Sequence, residues 1–172
     1  GMQLAGNQLT ETSALLGNDL ATFPDYPAEI RAPQGTVAGV SGFQIHIGKI
    51  EINTPGDSAD VLIAMNPAAL KANRSSIKNG GSIIVNIDSF TKRDLEKAGY
   101  QTSPLDDNSF DGFNIIQAPI TTLTREALKA SGLDAKSIGK CKNIFALGIV
   151  YWMFNRPLKQ TKKFLSKKFI DN

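Results

Sequence analysis

A loop in the first quarter of the chain carries the side chain best suited to binding chemistry. Residues 26–36 hold Arg31 between Pro27 and Pro33. Proline fixes its own φ and restricts the residue before it, so Arg31 sits on a backbone with little freedom to lose on binding. Its guanidinium group suits an anionic or planar partner. The alternative is a surface ion pair with Glu29, which would contribute little.

Two more cations, Lys140 and Lys142, flank Cys141 ahead of an apolar segment that begins at Ile144. At a helix start, the cations and the helix dipole would favour an anion or a thiolate. The alternatives are a solvated helix start for the lysines and a packed, inert thiol for the cysteine. His46 lies on the polar side of an alternating strand, which favours an exposed structural histidine over a general base.

No complete catalytic or phosphate-binding motif is present. The sequence has no G-x-S-x-G, no G-x-x-x-x-G-K-[ST], no complete G-x-G-x-x-G and no H-E-x-x-H. One cysteine and one histidine exclude a disulfide framework, a four-thiolate cluster and a His-based metal site built by this chain alone. We therefore expect no self-contained active site and no metal site.

Length and composition predict one domain over residues 1–172. The chain is 41% hydrophobic and can bury one sizeable core. No apolar signal segment is visible at its start, so a cytoplasmic location is the default expectation.

The basic charge is concentrated at the end of the chain. Residues 155–172 contain six Lys or Arg against Asp171, a net charge of +5, which leaves −2 for the rest of a chain whose total is +3. Leu158, Thr161, Leu165 and Phe169 fall at helical spacing and predict an amphipathic helix that docks on the domain or a partner. Nucleic-acid or membrane-surface binding is the weaker alternative, and we expect neither.

The first half of the chain predicts a helix followed by strands. Met2, Ala5, Leu9 and Leu16 mark one face of an opening helix, which Gly17 can end. Residues 20–23 suit a short strand. Residues 43–47 and 50–52 alternate in polarity around a Gly48-Lys49 turn, which predicts an antiparallel hairpin insert.

The second half predicts a parallel sheet. Residues 60–65 and 82–87 are apolar runs separated by a helical stretch, and residues 113–116 suit a further strand. Ligands collect at the carboxyl ends of such strands, where Asn66 and Asn86 should meet the helix start after Gly1. The alternative for the asparagines is local capping, since Asn66-Pro67 is a ready helix start.

Two helices complete the prediction. Thr121 or Thr122 can cap a helix that ends at Gly132. Residues 144–154 are apolar or glycine throughout, too short a run to cross a bilayer of about 30 Å, and predict a buried helix. We interpret its Tyr-Trp-Met-Phe sequence as core rather than as a cofactor site.

Four passages carry a resemblance to a known family. They are residues 1–6 (GMQLAG), 26–35 (YPAEIRAPQG), 60–67 (DVLIAMNP) and 139–148 (GKCKNIFALG). They resemble the gamma domain of the 2-oxoacid:ferredoxin oxidoreductases, thiamine-diphosphate and iron–sulfur enzymes that convert 2-oxoacids to acyl-CoA. The chain looks most like the form in which this domain is the N-terminal part of a fused alpha subunit acting on 2-oxoglutarate or a related acid.

The resemblance implies a three-layer α/β/α fold with a mostly parallel central sheet and an antiparallel hairpin insert. In the family a strand and the first glycines of a loop precede the position of Gly1, so the sheet is expected to lack that strand. Thiamine diphosphate, Mg and iron–sulfur clusters are implied on partner domains, with none bound by this chain alone. The implied partners are alpha and beta domains or subunits in an oligomer, and ferredoxin or another acceptor indirectly.

The residues and the resemblance together predict a contact surface for CoA or a sister subunit, with catalysis elsewhere and an isolated chain that is inactive. Its residues are Gly1, Met2, Gln3, Arg31, Gln34, Gly35, Thr36, Asn66, Lys140 and Lys142. Two alternatives stay open: an assembly module that binds no small ligand, and a nucleotide-binding α/β domain of unrelated function.

Overall fold

The computed structural model describes residues 1–25, 40–49 and 51–169. It divides into two compact units, which we call the helical unit and the sheet unit. The helical unit comprises Gly1–Pro24, Phe43–Pro55 and Asn143–Asn172, and the sheet unit comprises Asp25–Gly42 and Gly56–Lys142. The predicted loop around Arg31 lies outside the described residues.

The sheet unit is a parallel α/β arrangement. Its elements are β3 (Ala59–Ala64), α2 (Pro67–Asn73), β4 (Ile77–Asn86), α3 (Lys92–Lys97), β5 (Asn114–Ala118), α4 (Ile120–Ala127) and α5 (Ala135–Lys140), with 3₁₀ turns at Arg74–Ser76, Ile87–Ser89 and Asn108–Phe110. The strand order is β3-β4-β5, and both pairings are parallel. All three predicted strands are therefore confirmed, within a few residues of their expected ends.

The apolar runs in these strands form the core of the sheet unit. In the parallel register Leu62 lies opposite Ile83, and Ile83 lies opposite Ile115. Ile83 and Val85 on β4 are fully buried, because β4 is the middle strand. Burying each such side chain stabilises the fold by about 1.5–3 kcal/mol. Leu70 of α2 closes the same core cluster.

The helical unit contains α1 (Met2–Leu15), most of β1 (Asp19–Asp25) and β2 (Gly42–Gly48), α6 (Lys142–Met153) from Asn143 onward, and α7 (Lys159–Lys168). Helix α1 ends as predicted at Gly17, whose φ of 77° suits glycine and whose N–H bonds the carbonyl of Ala14 (2.9 Å). Strands β1 and β2 form a two-stranded antiparallel sheet. The predicted mixed α/β class is confirmed.

The predicted hairpin partner of β2 is wrong. Strand β2 pairs with β1, and the described residues Glu51 and Ile52 are not in a strand. The reason is that side chains take over the hydrogen bonds of this segment. The N–H of Ile52 donates to the carboxylate of Asp19, and His46 Nδ1 bonds the carbonyl of Thr54 (2.9 Å). Glu51 and Ile52 therefore belong to no strand, although their polarity alternates.

The predicted burial of the last two helices is partly wrong. On α6 Tyr151 is buried, but Trp152 is 84% exposed, and Phe154 beyond it is about half exposed. On α7 Thr161 is buried, whereas Leu158 before the helix and Phe169 after it are half exposed. The reason is that α6 packs only one face, through Ala146, Leu147, Val150 and Tyr151.

A buried polar network joins the three helices of the helical unit. The Tyr151 hydroxyl donates to the carbonyl of Gln8 (3.0 Å) and accepts from the hydroxyls of Thr12 (2.9 Å) and Thr161 (2.7 Å). All four residues are at most 5% exposed. The network shares the buried side of α1 with the predicted residues Ala5 and Leu9, which pack in the same cluster as Tyr151, whereas Leu16 is exposed.

Removing this hydroxyl should destabilise the protein. Tyr151→Phe leaves the two threonine hydroxyls and the Gln8 carbonyl buried without their common partner, so we expect a loss of about 1–3 kcal/mol in the free energy of unfolding. Urea denaturation measures it. Tyr100→Phe is the control, since its hydroxyl has no hydrogen-bond partner among the described residues, and it should stay within about 0.5 kcal/mol of the parent. Equal stability of the Tyr151 variant would contradict the network's role.

Candidate functional site

The predicted contact residues fall into three places. Gly1, Met2 and Gln3 begin α1 in the helical unit. Asn66, Lys140 and Lys142 belong to the sheet unit, where Asn66 follows β3 and the two lysines lie at its end. The remaining four, Arg31, Gln34, Gly35 and Thr36, lie outside the described residues.

The start of α1 lies against the first turn of α6. Gly1 is the N-cap and supplies no side-chain hydrogen bond to the first turn. A Cβ at this position would overlap the side-chain amide of Asn143, the second residue of α6. The beginnings of two helices therefore adjoin in the helical unit. Helix starts carry unpaired N–H groups and a partial positive charge, which together attract anions.

The two lysines occupy different helix ends. Lys142 is the first residue of α6, as the prediction of a cationic helix start requires. Lys140 is instead the last residue of α5, where a cation favours the helix by interacting with its carbonyl end. Between them the thiol of Cys141 donates to the carbonyl of Ser137 (3.5 Å) and is half buried. This contact agrees with the packed-thiol alternative.

In the sheet unit, Asn66 and Asn86 are engaged by the fold. The side chain of Asn66 accepts from the N–H of Ala69 (2.8 Å) and caps α2, with Pro67 at the first helical position. Asn86 is fully buried; its Nδ2 donates to the hydroxyls of Ser89 and Thr121 (3.0 Å each). Asn86 fastens the carboxyl end of β4 to α4, and these contacts agree with the alternative in which both asparagines have local structural roles.

The start of α4 is capped by a residue that lies far away in the sequence. The sequence predicted Thr121 or Thr122 as the cap, but neither residue caps this helix. The carboxylate of Asp88 instead accepts from the N–H (2.7 Å) and the hydroxyl (3.0 Å) of Thr122, and Asn86 accepts from the N–H of Thr121 (3.2 Å). A carboxylate therefore occupies the position at which this helix could hold a phosphate.

Side chains also cap α3 and α5 of the sheet unit, in each case from the residue just before the helix. Thr91 accepts from the N–H of Asp94 (3.2 Å) at α3, and Asp134 accepts from the N–H of Ser137 (2.6 Å) at α5. That backbone hydrogen bond, with the Ser137 hydroxyl as the second cause, holds the pKa of Asp134 below its usual range. Side chains thus cap all four α-helices described in this unit.

Sequence reasoning missed a groove of about 460 Å³ in the sheet unit. It lies between the end of β4, α3 and the loop that follows α3, with Ile87, Lys92, Tyr100 and Gln117 among its lining residues. Burial raises the pKa of the Tyr100 hydroxyl. No motif could have indicated this groove, because its walls come from segments that are distant in sequence.

Comparisons with known proteins identify the family. The family model described as pyruvate ferredoxin/flavodoxin oxidoreductase matches residues 1–171. The chain belongs to this family.

Within the family, the chain is similar to a much longer curated protein. It is 52% identical over 169 residues to the 2-oxoglutarate oxidoreductase subunit KorA of Mycobacterium tuberculosis. The match covers 98% of this chain and 26% of that protein, so the chain spans about a quarter of its relative's length. The resemblance found in the sequence is confirmed at the level of the family.

Solved structures agree with the fold. The 2-oxoglutarate:ferredoxin oxidoreductase of Magnetococcus marinus, determined with 2-oxoglutarate, coenzyme A and succinyl-CoA bound, matches 96% of this chain and 24% of its own, at 25% identity and a TM-score of 0.67. The gamma subunit of a keto/oxoacid ferredoxin oxidoreductase from Geobacter sulfurreducens matches 86% of this chain and 67% of its own, at 19% identity and a TM-score of 0.54. This family member therefore has a gamma-type fold.

Two other features, a metal-binding group and a membrane-spanning helix, are absent from the described residues. In the part of the chain that the structure describes, no three His, Cys, Asp or Glu side chains gather into a group that could hold a metal ion. Within the same residues, no helix combines the length and the apolar character needed to cross a membrane.

The capping role of Asp88 can be tested by removing its carboxylate. Asp88→Ala removes both hydrogen bonds to Thr122, so we expect α4 to lose about 1–2 kcal/mol of stability. Urea denaturation gives the global value, and hydrogen exchange of the Thr122 amide gives the local one. Glu126→Ala on the exposed side of α4 is the control and should change little. Unchanged exchange at Thr122 in the Asp88 variant would contradict the assignment.

Proposed function

We propose that this chain is the gamma-type domain of a 2-oxoacid:ferredoxin oxidoreductase that acts on 2-oxoglutarate. It contributes to coenzyme A binding and to subunit assembly, and it carries no catalytic centre of its own. The enzyme is cytoplasmic and oligomeric, with alpha and beta domains or subunits as the partners of this chain and ferredoxin or another acceptor downstream.

The identity of 52% over nearly the whole chain is the observation that carries this proposal. The relative concerned is a 2-oxoglutarate oxidoreductase subunit, and the Magnetococcus enzyme was determined with the same oxoacid and coenzyme A bound. Both relatives are about four times as long as this chain, which supports partner domains as the seat of decarboxylation.

The geometry of the helix starts supports the coenzyme A contact. Coenzyme A carries several phosphate charges, and phosphates bind helix N-termini through free N–H groups and the dipole. The sheet unit caps its own helices with side chains, whereas Gly1 has no side chain to cap α1 and lies beside Asn143. Lys142 adds a positive charge at the start of α6. Gly1, Met2 and Gln3 of the helical unit are therefore candidates for phosphate contacts, and Lys142 of the sheet unit is a separate candidate.

The small number of cysteines in the chain suits a role in supporting the reaction rather than in electron transfer. Iron–sulfur clusters need several thiolates, and Cys141 is the one cysteine of the sequence. In this proposal thiamine diphosphate, Mg and the iron–sulfur clusters are carried by partner domains. The residues of this chain bind and orient the phosphate end of coenzyme A while the reaction proceeds elsewhere.

Two substitutions at the start of α6 test the coenzyme A contact in the reconstituted enzyme. Lys142→Ala removes a cation, and Asn143→Asp places a negative charge beside the start of α1 without changing side-chain size. Each should raise the Kd for coenzyme A about tenfold, since a charge-assisted hydrogen bond to phosphate is lost or opposed. Titration calorimetry measures the affinity. Lys136→Ala, an exposed lysine on α5, is the control and should leave it unchanged.

The stability of the same variants separates ligand binding from folding. An acidic group in the first turn favours a helix, so Asn143→Asp should not lower the free energy of unfolding. Wild-type affinity for coenzyme A in both variants would contradict the contact and leave the assembly module as the better description. Arg31→Ala tests the loop outside the described residues in the same assay.

A further inference from the structure

One asparagine of the chain is followed directly by glycine. This pair, Asn79-Gly80, lies within β4. In such a pair the side-chain amide carbon of the asparagine is within ring-closing reach of the backbone nitrogen of the glycine. Attack by this nitrogen closes a succinimide ring, and glycine hinders the attack least because it has no side chain. The sequence therefore marks Asn79 as the asparagine most prone to deamidation.

The pair lies where β4 leaves its regular register with β3. Residues 78–81 of β4 lie opposite a single residue of β3, Asp60, and we call them the β4 bulge. Asn79 and Gly80 are both exposed, and Gly80 has a φ of 78°, a conformation that favours glycine. Apart from its chain neighbours, nothing lies within 4 Å of a Cβ built at Gly80. Water therefore reaches both groups that the reaction uses.

One hydrogen bond restrains the nitrogen that would attack. The N–H of Gly80 donates to the carbonyl of Gly112 (2.9 Å), two residues before β5 begins. Ring closure requires this nitrogen to lose its proton and to turn toward the side chain of Asn79. The hydrogen bond opposes both changes, so the reaction has to wait until the bulge opens locally.

The other contacts of the bulge do not restrain this nitrogen. Lys78 Nζ lies 2.7 Å from the carboxylate of Asp60, but both side chains are at least half exposed, and such a pair contributes little. At Gly81 a Cβ would lie 2.8 Å from the carbonyl oxygen of Lys78, so this part of the backbone is closely packed. The bond between Gly80 and Gly112 is therefore the contact that controls the reaction.

We propose that Asn79 is a deamidation site whose reaction is controlled by the hydrogen bond between Gly80 and Gly112. When the bulge opens, hydroxide removes the proton of the Gly80 nitrogen, which bonds to Cγ of Asn79. The Cγ–Nδ2 bond breaks, and Nδ2 leaves as ammonia after taking a proton from water, which regenerates the hydroxide. Water then cleaves one of the two C–N bonds of the succinimide and leaves aspartate or isoaspartate at this position.

The products make the opening of the bulge permanent. Each adds one negative charge to the sheet unit, and isoaspartate also adds a carbon to the backbone of β4. The longer backbone displaces the N–H of Gly80 from the carbonyl of Gly112, so the original bond does not form again. This inference goes beyond the proposed function and does not depend on it.

Peptide mapping by mass spectrometry tests the site in the full chain at mildly alkaline pH. In urea that unfolds the chain, we expect Asn79 to deamidate before any other asparagine. In the native chain its deamidation should be about fivefold slower or more, because a backbone hydrogen bond must first break. Equal rates in the native and unfolded chains would overturn the control by the fold. Faster deamidation of another asparagine in urea would overturn the site.

A substitution at the acceptor tests the hydrogen bond itself. Gly112 has a φ of 87°, which alanine adopts only with strain, so Gly112→Ala should move its carbonyl away from Gly80. Deamidation of Asn79 in the native variant should then rise about fivefold. Gly132→Ala, at a φ of 75° in the same unit and with equally open surroundings, is the control and should leave the rate unchanged. An unchanged rate in the Gly112 variant would contradict the proposal.

Hydrogen exchange of the unsubstituted chain decides the question if the Gly112 variant does not fold, which circular dichroism shows. The amide of Gly80 should be protected about fivefold or more relative to the amide of Gly112. The N–H of Gly112 has no hydrogen-bond partner in the part of the chain that the structure describes, so it serves as the internal reference. Equal protection of the two amides would refute the restraint on Gly80.

Discussion

The N–H groups at helix starts impose the constraint that organises both units. The first turn of every helix presents donors that the helix itself cannot satisfy. The sheet unit satisfies them with its own side chains, among them Asn66 at α2 and Asp88 at α4. In the helical unit the N-cap of α1 is Gly1, which has no side chain that could cap the helix. The sheet unit therefore caps its helices with side chains, whereas Gly1 supplies no side-chain cap to α1.

The polar network around Tyr151 determines which surfaces of the helical unit are available. Its hydrogen bonds to α1 and α7 fix how three helices pack around one hydroxyl. Tyr151 faces inward with Val150 and Leu147, and Trp152, rotated by about 100° along the helix, falls outside this buried face. The buried tyrosine and the exposed tryptophan are therefore two consequences of one packing arrangement, and the basic side of α7 is displayed by the same contacts.

The sequence predicted the parallel strands well because their signal is local. Strands β3, β4 and β5 are continuous apolar runs, and burial on both faces of a parallel sheet requires that pattern. The end of α1 was equally local, since Gly17 supplies the left-handed conformation at the cap. The same reasoning failed for residues 50–52, where a carboxylate from β1 takes the hydrogen bond that a strand would have made.

The candidate site was predictable in its residue types and less so in its geometry. The helix start predicted at Lys142 is present, but Lys140 two positions earlier ends a different helix. The cap of α4 comes from Asp88, 34 residues before the threonine that it holds, and no local pattern encodes such a contact. The contact between Gly1 and Asn143 joins opposite ends of the chain and is likewise invisible before folding.

A domain without a reactive group can still influence the rate of an enzyme. The phosphates of coenzyme A are remote from its thiol, and binding energy from remote parts of a substrate can be used to position the reacting atom. In the proposed function the start of α1 holds part of that remote end, so weakening this contact would affect turnover as well as affinity.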